Sequence, residues 1–246
     1  MLYLNSKFFI GKNMKIVSLS FDDGTIYDKR FIDLLNKYGL RATFNLNSGL
    51  DDFIWYYEDK PIRRLNLEES KEIYKGHEVA SHSLTHPYFS SLDEKRQIRE
   101  VEEDILNLER IFKKDVKGFA FPFTDQTEEN IRVIRNNIDL EYIRYSFFTD
   151  EILPKDRYHI GINAMYDEKD IYEKLEEYKS NILPNSLFVI AGHSYEFEVK
   201  NDWEKIENLL KYLKENDELL VLPLIDAVKL LFRWDYGKDQ CYALIR

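Results

Sequence analysis

The stretch 15–24, Lys-Ile-Val-Ser-Leu-Ser-Phe-Asp-Asp-Gly, is a short apolar run that ends in two carboxylates and a glycine. Residues 27–38 follow, in which apolar side chains recur with helical spacing up to Gly39. An apolar run bounded by a turn signal is typical of a buried strand, and the 3.6-residue period that follows is typical of a helix. The sequence therefore predicts a strand, a loop and a helix here.

The same order of strand, loop and helix recurs along the chain. Seven further strands are predicted, at 42–46, 78–81, 116–121, 141–147, 158–162, 186–191 and 219–222, and the clearest helix covers residues 92–112. Such repeats favour parallel strands with right-handed crossovers, in a doubly wound sheet or a barrel. Polar residues at the carboxyl ends of separate strands favour the barrel, whose active sites gather there: Asp22, Asp23, His82, Pro122 and His193.

Composition limits the classes of protein to consider. The 246 residues fit a single large domain, 1–246, and the net charge of −10, with both signs interspersed, argues against nucleic acid or an anionic membrane as partner. Cys241 is the only cysteine, which excludes a disulfide framework and a cysteine-based zinc site. Neither a signal peptide nor a membrane span is evident in the sequence, so a cytoplasmic location is expected.

Two strings carry the chemistry. Asp22 and Asp23 stand side by side at one strand end, and His82 and His86 are four residues apart after another. Two imidazoles and a carboxylate, with an open position for water, form a common catalytic metal site. A metal beside Asp23 relieves the repulsion between the two carboxylates and leaves Asp22 free to accept a proton.

Each of these signals also has a plainer interpretation. Asp-Asp-Gly is typical of a turn that caps the next helix, and paired histidines at this spacing are common on surfaces. A histidine at a strand end, such as His193, is commonly held by backbone hydrogen bonds. His77 and His159 lack such placement and are expected to be structural.

Four strings in this order resemble the motifs of the polysaccharide deacetylases of carbohydrate esterase family 4, the NodB-homology group. They are Phe21-Asp22-Asp23-Gly24, His82-Ser83-Leu84-Thr85-His86, Phe121-Pro122-Phe123 and the apolar run from Leu187 to His193. The resemblance covers about residues 15–213, and the region after His193 is most similar to a small single-domain bacterial subgroup. It implies a distorted (β/α) barrel, expected to have seven strands, with the site at their carboxyl ends.

The resemblance also implies a role for each matching residue. Asp22 would be the general base and His193 the general acid, while Pro122 and Phe123 would line the substrate groove, with the Phe123 backbone N–H contacting the oxyanion. One divalent ion, with zinc expected first and cobalt, nickel or iron also suitable, would be held by three ligands: Asp23, His82 and His86.

The chain departs from the family pattern at one interaction. Ala120 stands where the family has an arginine that orients the catalytic aspartate, and the family's later motif with an Asp and a Trp is not recognisable between residues 142 and 167. Arg144 and Arg157 are candidate replacements, although each is more typical of an ordinary surface arginine.

The function predicted from these features is metal-dependent hydrolysis of an acetamido group on an N-acetylated sugar or polysaccharide, which releases acetate and a free amine. The alternatives are a hydrolase of small non-sugar amides and a glycan-binding barrel that has lost catalysis. A carbohydrate is the expected partner, and the oligomeric state is left open. The stretch 51–64, with three consecutive aromatic residues, is expected to form an inserted loop near the site.

Overall fold

The computed structural model describes residues 14–183 and 185–232. The strands in chain order are β1 (Lys15–Asp22), β2 (Thr43–Leu46), β3 (Ile54–Tyr57), β4 (Lys60–Arg63), β5 (Glu78–Ser81), β6 (Gly118–Ala120), β7 (Tyr142–Phe148), β8 (Ile160–Ile162), β9 (Ala164–Met165), β10 (Ser186–His193) and β11 (Leu219–Val221). The helices are α1 (Asp28–Tyr38), α2 (Leu67–Ser70), α3 (Glu94–Phe112), α4 (Glu128–Asn137), α5 (Ile171–Ser180), α6 (Ser194–Val199), α7 (Trp203–Glu215) and α8 (Leu224–Leu231).

Within the described residues, nine strands form one parallel sheet that curls nearly into a barrel. Its order is β8-β7-β6-β5-β2-β1-β10-β9, and β11 pairs with the first half of β1. The strands at the two ends of this path, β8 and β9, are consecutive in the chain. The predicted distorted (β/α) barrel is thereby confirmed, but the sheet has nine strands where seven were expected. The number seven is implied by the resemblance. The strand predicted at 219–222 is present as β11, whereas β9 has only two residues, too few to show a periodic pattern.

The centre of the sheet is fully buried. All eight residues of β1 are buried, because β10 and β2 flank it and helices cover the sheet. The predicted apolar stripe of α3 faces this core through Val101, Ile105 and Leu108, and Asp93 caps the helix by accepting a hydrogen bond from the Arg96 N–H. The elements that carry the site are therefore fixed by core packing.

An antiparallel hairpin, β3–β4, lies over the carboxyl rim of the barrel. The sequence predicts an inserted loop at 51–64, and the structure confirms the insertion but folds it into two paired strands. The hairpin is tied to the rim at Ile26, whose N–H donates to the Arg63 carbonyl, and at Lys60, whose Nζ lies 3.3 Å from the Val199 carbonyl oxygen. None of the helices in the described ranges is long and apolar enough to cross a bilayer.

Candidate active site

Three side chains from two strand ends converge on one point of the rim. One ligand atom each from Asp23, His82 and His86 lies within 4.8 Å of the others. Asp23 directly follows β1, and the two histidines follow β5, which is separated from β1 only by β2. Parallel strands bring their carboxyl ends to one edge, so residues 59 positions apart in sequence become neighbours in space. The cluster is the one that the sequence predicts.

Hydrogen bonds around this cluster fix the orientation of His82. Its Nδ1 lies 2.8 Å from the Ala120 carbonyl oxygen, so this nitrogen carries the proton and Nε2 faces the carboxylates. Asn47 Nδ2 donates to the carbonyl oxygens of His82 and Ser83 at 2.6 and 2.7 Å. Burial lowers the pKa of His82 to about 4, so the imidazole is neutral at neutral pH.

The donor set fits a divalent metal ion. A neutral His82, a His86 whose pKa is lowered by burial, and an ionised Asp23 offer two imidazole nitrogens and a carboxylate oxygen in the protonation states that metal binding requires. This combination of nitrogen and oxygen ligands suits zinc and also suits cobalt, nickel and iron.

The backbone at the cluster adopts a conformation that most residues avoid. Asp23, Ser83, His86 and Phe123 all have a positive φ, between 54° and 85°. Each such residue costs of the order of 1 kcal/mol, and residues of this kind concentrate at functional sites. At Asp23 this conformation is stabilised by the backbone, because the Asp23 N–H donates a hydrogen bond to the Asn45 carbonyl oxygen at 3.0 Å.

Arg64 holds the Asp23 carboxylate, and sequence reasoning missed this contact. Its Nη2 donates to Asp23 Oδ1 at 2.9 Å, and its Nη1 donates to the Asp23 carbonyl and to Asn47 Oδ1. Burial acts to raise the pKa of Asp23, but the Arg64 guanidinium and three nearby histidines outweigh it and hold that pKa well below its usual range. Arg64 follows the hairpin directly, so a segment with no recognisable motif supplies it.

Arg144 holds the other carboxylate. Its Nη2 lies 2.7 Å from both Asp22 oxygens, and Asn45 Nδ2 donates to Oδ1 at 2.6 Å. Burial acts to raise the pKa of Asp22, whereas Arg144 lowers it, and the net shift is downward. Ala120 on β6 is the direct strand partner of Arg144 on β7. The guanidinium that the resemblance leads us to expect at position 120 is thus supplied from the adjacent strand.

The other candidate replacement, Arg157, lies elsewhere. It contacts Glu141 and the Tyr158 hydroxyl, at the amino-terminal end of β7. The interpretation of Arg157 as a partner of Asp22 is therefore wrong, because Arg144 already occupies both carboxylate oxygens.

His193 approaches the same carboxylates from β10. It is the strand partner of Asp22, and its Nε2 lies 3.8 Å from Asp23 Oδ2. Its Nδ1 lies 3.3 Å from Glu196 Oε2, and Lys200 holds the other Glu196 oxygen at 2.9 Å. Burial acts to lower the pKa of His193, but the Glu196 hydrogen bond and the Asp23 charge raise it to about 9. Glu196 was also missed, although its three-residue spacing from His193 at the start of α6 is a capping signal.

Aromatic rings form the walls on both sides of this centre. The Phe123 ring lies 4.5 Å from that of His86 and stacks on Tyr88 at 4.0 Å, while Pro122 is buried behind it. Beside β10, the Tyr195 ring lies 5.0 Å from that of His193. The structure thus brings every sequence-predicted site residue to one rim.

The two remaining histidines lie apart from the centre. The Nδ1 of His77 accepts a hydrogen bond from the Ala42 N–H at 3.3 Å, before β5 begins. His159 lies between Asp156 and Glu128 at 2.8 and 3.0 Å. Both bind neighbouring protein groups, as expected for structural residues.

Comparison with known proteins identifies the class of fold first. The Xyl-CE4 domain of a xylanase from the hindgut metagenome of Trinervitermes trinervoides aligns with a TM-score of 0.57 and 19% identity over 89% of this chain and 91% of its own. A family 4 acetyl xylan esterase from Clostridium thermocellum, in complex with cobalt, aligns with a TM-score of 0.55 and 17% identity over 88% and 91%. These likenesses show a family 4 esterase barrel fold.

Sequence comparison then gives the family. The polysaccharide deacetylase model matches residues 10–143, more than half of the chain, so the chain belongs to the polysaccharide deacetylase family. The peptidoglycan-N-acetylmuramic acid deacetylase PdaC of Bacillus subtilis is 30% identical over 104 residues, 42% of this chain and 20% of PdaC. A chitooligosaccharide deacetylase of Sinorhizobium fredii is 26% identical over 166 residues, 64% of this chain and 66% of that protein. The matches therefore span a fifth to about two thirds of these relatives.

Proposed function

We propose that this protein is a metal-dependent hydrolase that removes the acetyl group from an N-acetylated sugar of a glycan. The observation that carries the proposal is the convergence of two differently held carboxylates. Arg144 holds Asp22 from one side, and Arg64 holds Asp23 among His82 and His86 from the other. One carboxylate thus belongs to a metal-ligand set, and the other stands beside it as a base.

Asp23, His82 and His86 would hold the metal ion. When bound, the ion would supply Lewis-acid polarisation of the acetamide carbonyl and would acidify a water molecule. The ionised Asp23, ordered by Arg64, and the imidazole of His82, oriented by the Ala120 carbonyl, are already arranged for this role.

The remaining steps use groups of the chain itself. Asp22 stays ionised because Arg144 lowers its pKa, so it accepts the proton of the attacking water. The Phe123 N–H donates to the developing oxyanion. His193, kept protonated by Glu196, gives its proton to the leaving amine as the carbon–nitrogen bond breaks. Acetate and a free amine on the sugar result.

Two lines of evidence support a glycan as the substrate. The relatives named above are deacetylases of peptidoglycan and of chitooligosaccharide, and aromatic rings on both sides of the centre suit the apolar faces of sugar rings. Asp22 and His193 argue against a pure glycan-binding barrel, because binding alone needs neither a base nor an acid.

The direct test is acetate release from N-acetylglucosamine oligomers by the purified, metal-loaded protein. We expect Asp22→Asn to lower kcat by a factor of about 100 to 10,000, the range typical for loss of a general base. Activity of the wild type on small amides alone would instead support the non-sugar amidase. Oligomer binding without any acetate release would support the binding barrel.

Metal content tests the ligand assignment independently of turnover. His82→Ala should leave the purified protein with far less than one metal ion per chain in elemental analysis, because two ligands bind a divalent ion much more weakly than three. His159→Ala, which removes a histidine bonded to Asp156 and Glu128, should keep the wild-type content. Full metal occupancy in His82→Ala would contradict the assignment.

A further inference from the structure

The hairpin β3–β4 presents two different faces. Trp55 pairs with Ile62 and Tyr57 with Lys60, so these side chains share the face turned toward the barrel, where Ile62 is fully buried. Tyr56 lies on the opposite face and is 74% exposed. Side chains on the first face can reach the active site, whereas those on the second cannot.

Aromatic contacts connect the inner face directly to the catalytic centre. The Trp55 ring meets the edge of the Tyr195 ring at a centroid distance of 5.4 Å, and Tyr195 in turn lies 5.0 Å from the His193 ring. On its other side, Trp55 lies 5.1 Å from the Arg64 guanidinium that holds Asp23. Trp55 is therefore packed at a defined place beside the proposed acid.

Phe53 extends this aromatic surface away from the centre. Its ring lies 6.5 Å from that of Trp55 with only 19° between the two planes, and Phe53 is 50% exposed. The only ring contact described for Phe53 is this one. The nearly parallel rings of Trp55 and Phe53 thus form a surface that extends from the site to the solvent, where the Phe53 ring is half exposed.

The surroundings of the two rings are polar. Asp52, next to Phe53, accepts hydrogen bonds from Arg63 and Asn66; Asp52 and Arg63 are exposed, and Asn66 is half-buried. An apolar flat patch bordered by hydrogen-bonding groups matches a pyranose, whose ring face presents C–H groups and whose edge presents hydroxyls. A protein partner of this area would more commonly meet a larger contiguous apolar patch.

We propose that Phe53 and Trp55 form a subsite that stacks against a pyranose ring of the same glycan chain, at a distance from the sugar being deacetylated. This inference rests on the proposed function and narrows the substrate to oligosaccharides or polymers rather than single N-acetyl sugars. An aromatic surface outside the place of the reacting sugar adds binding energy only when the glycan is long enough to reach it. Affinity is then expected to rise with oligomer length.

The test compares two single-ring deletions in the same hairpin. Phe53→Ala removes the exposed ring of the inner face, and Tyr56→Ala removes an exposed ring of the outer face, as a matched control. Isothermal titration of the metal-loaded Asp22→Asn background with N-acetylglucosamine oligomers of one to five units gives each affinity without turnover. We expect Phe53→Ala to weaken pentamer binding about two- to tenfold and to leave monomer binding unchanged, while Tyr56→Ala matches the parent at every length.

Three results would overturn the subsite. The first is equal pentamer affinity in Phe53→Ala and Tyr56→Ala. The second is an equal loss of affinity for the monomer and the pentamer in Phe53→Ala. The third is loss of self-association in Phe53→Ala, measured by sedimentation, which would show that the two rings form a contact between copies of the protein. Trp55→Phe keeps a ring at the inner position and should reduce pentamer affinity less than Phe53→Ala does. Acetate release by the wild-type protein decides the proposed function separately, because the titrations measure binding alone.

Discussion

At the scale of single residues, the most informative feature is that the guanidinium beside Asp22 comes from β7, next to the strand on which an arginine was expected. Ala120 and Arg144 are strand partners, and both point into the barrel, where each is fully buried. From β7, the Arg144 side chain reaches both oxygens of the Asp22 carboxylate. A guanidinium therefore lies beside Asp22, supplied by Arg144 and not by the arginine expected at position 120.

Replacement of Arg144 should separate catalysis from metal binding. In Arg144→Lys, a single ammonium cannot reproduce the guanidinium contact with both Asp22 oxygens, so we expect kcat to fall about 10- to 100-fold with metal content unchanged. The measurements are acetate release and elemental analysis. Arg157→Lys is the matched control, because Arg157 contacts Glu141 at the other end of β7, and equal losses in the two variants would contradict the role of Arg144.

A double variant tests whether the two positions are interchangeable. Arg144→Ala alone leaves the buried Asp22 carboxylate without its cation, and we expect a loss of about 3–5 kcal/mol in the free energy of unfolding. Adding Ala120→Arg returns a guanidinium from the partner position and should recover part of both stability and kcat. Denaturation and rate assays on the single and double variants check this, and no recovery in either quantity would contradict it.

The residues whose meeting at one rim could be anticipated from the sequence are those at strand ends. Asp22, His82 and His193 each follow an apolar run, and parallel strands bring such ends together without further information. Arg144 is one of two candidate arginines, and only the structure shows that it, and not Arg157, reaches Asp22. Arg64 is not among the candidates at all, because its long side chain reaches Asp23 from a segment with no recognisable motif.

At the scale of elements, the hairpin shows why short strands escape sequence reasoning. Its two-residue turn is Glu58-Asp59, with φ of 47° and 61°, in place of the Asn-Gly or Asp-Gly pair that normally signals such a turn. Without that signal, the aromatic run Trp55-Tyr56-Tyr57 indicates only an insertion. The helices, in contrast, carry enough turns for their apolar stripes to be recognised.

The turn itself gives a prediction on stability. Both central residues are left-handed, where a side chain costs of the order of 1 kcal/mol relative to glycine. Asp59→Gly should therefore raise the free energy of unfolding by a few tenths of a kcal/mol to about 1 kcal/mol, and Asp59→Ala, which tolerates this conformation less well than Asp, should lower it. Urea denaturation of the two variants checks the opposite signs, and a change of the same sign in both would contradict the assigned turn.

At the scale of the whole molecule, the two ends of the barrel have different roles. The candidate active site lies at the carboxyl rim, while the opposite end is closed by α8, whose first N–H groups bond to buried side chains. The Leu224 N–H donates to Thr43 Oγ1 at 2.8 Å, and the Ile225 N–H donates to Glu78 Oε2 at 2.9 Å. The barrel could be predicted from repeated strand and helix patterns. The closure by α8 could not be predicted, because nothing in the sequence distinguishes Glu78 from an ordinary polar residue at the start of a strand. The extent of the domain, 1–246, stays a prediction.

Glu78 makes the stability of the fold depend on pH. Burial raises its pKa from 4.5 to about 7, although hydrogen bonds from Thr43, Ile225 and Tyr142 act against the shift. Asp226 adds to the rise, and Lys114 is the nearby cation. Because the folded-state pKa lies above the unfolded value, the stabilisation is fully present below about pH 4.5 and is lost as the pH rises through 7. From this group alone, we expect the free energy of unfolding to fall with a slope approaching about 1.4 kcal/mol per pH unit between these values.

Replacing the carboxyl group isolates this effect from every other titration. The glutamine in Glu78→Gln cannot ionise. We therefore expect the free energy of unfolding of Glu78→Gln, minus that of the wild type, to increase as the pH rises from 5 to 8. Urea denaturation measures both values, and the difference at pH 5 itself does not affect this expectation. Glu102→Gln, an exposed site on α3, should run parallel to the wild type. A constant difference between Glu78→Gln and the wild type would mean that Glu78 keeps an ordinary pKa in the folded barrel, and that the closed end tolerates a buried charge beside the start of α8.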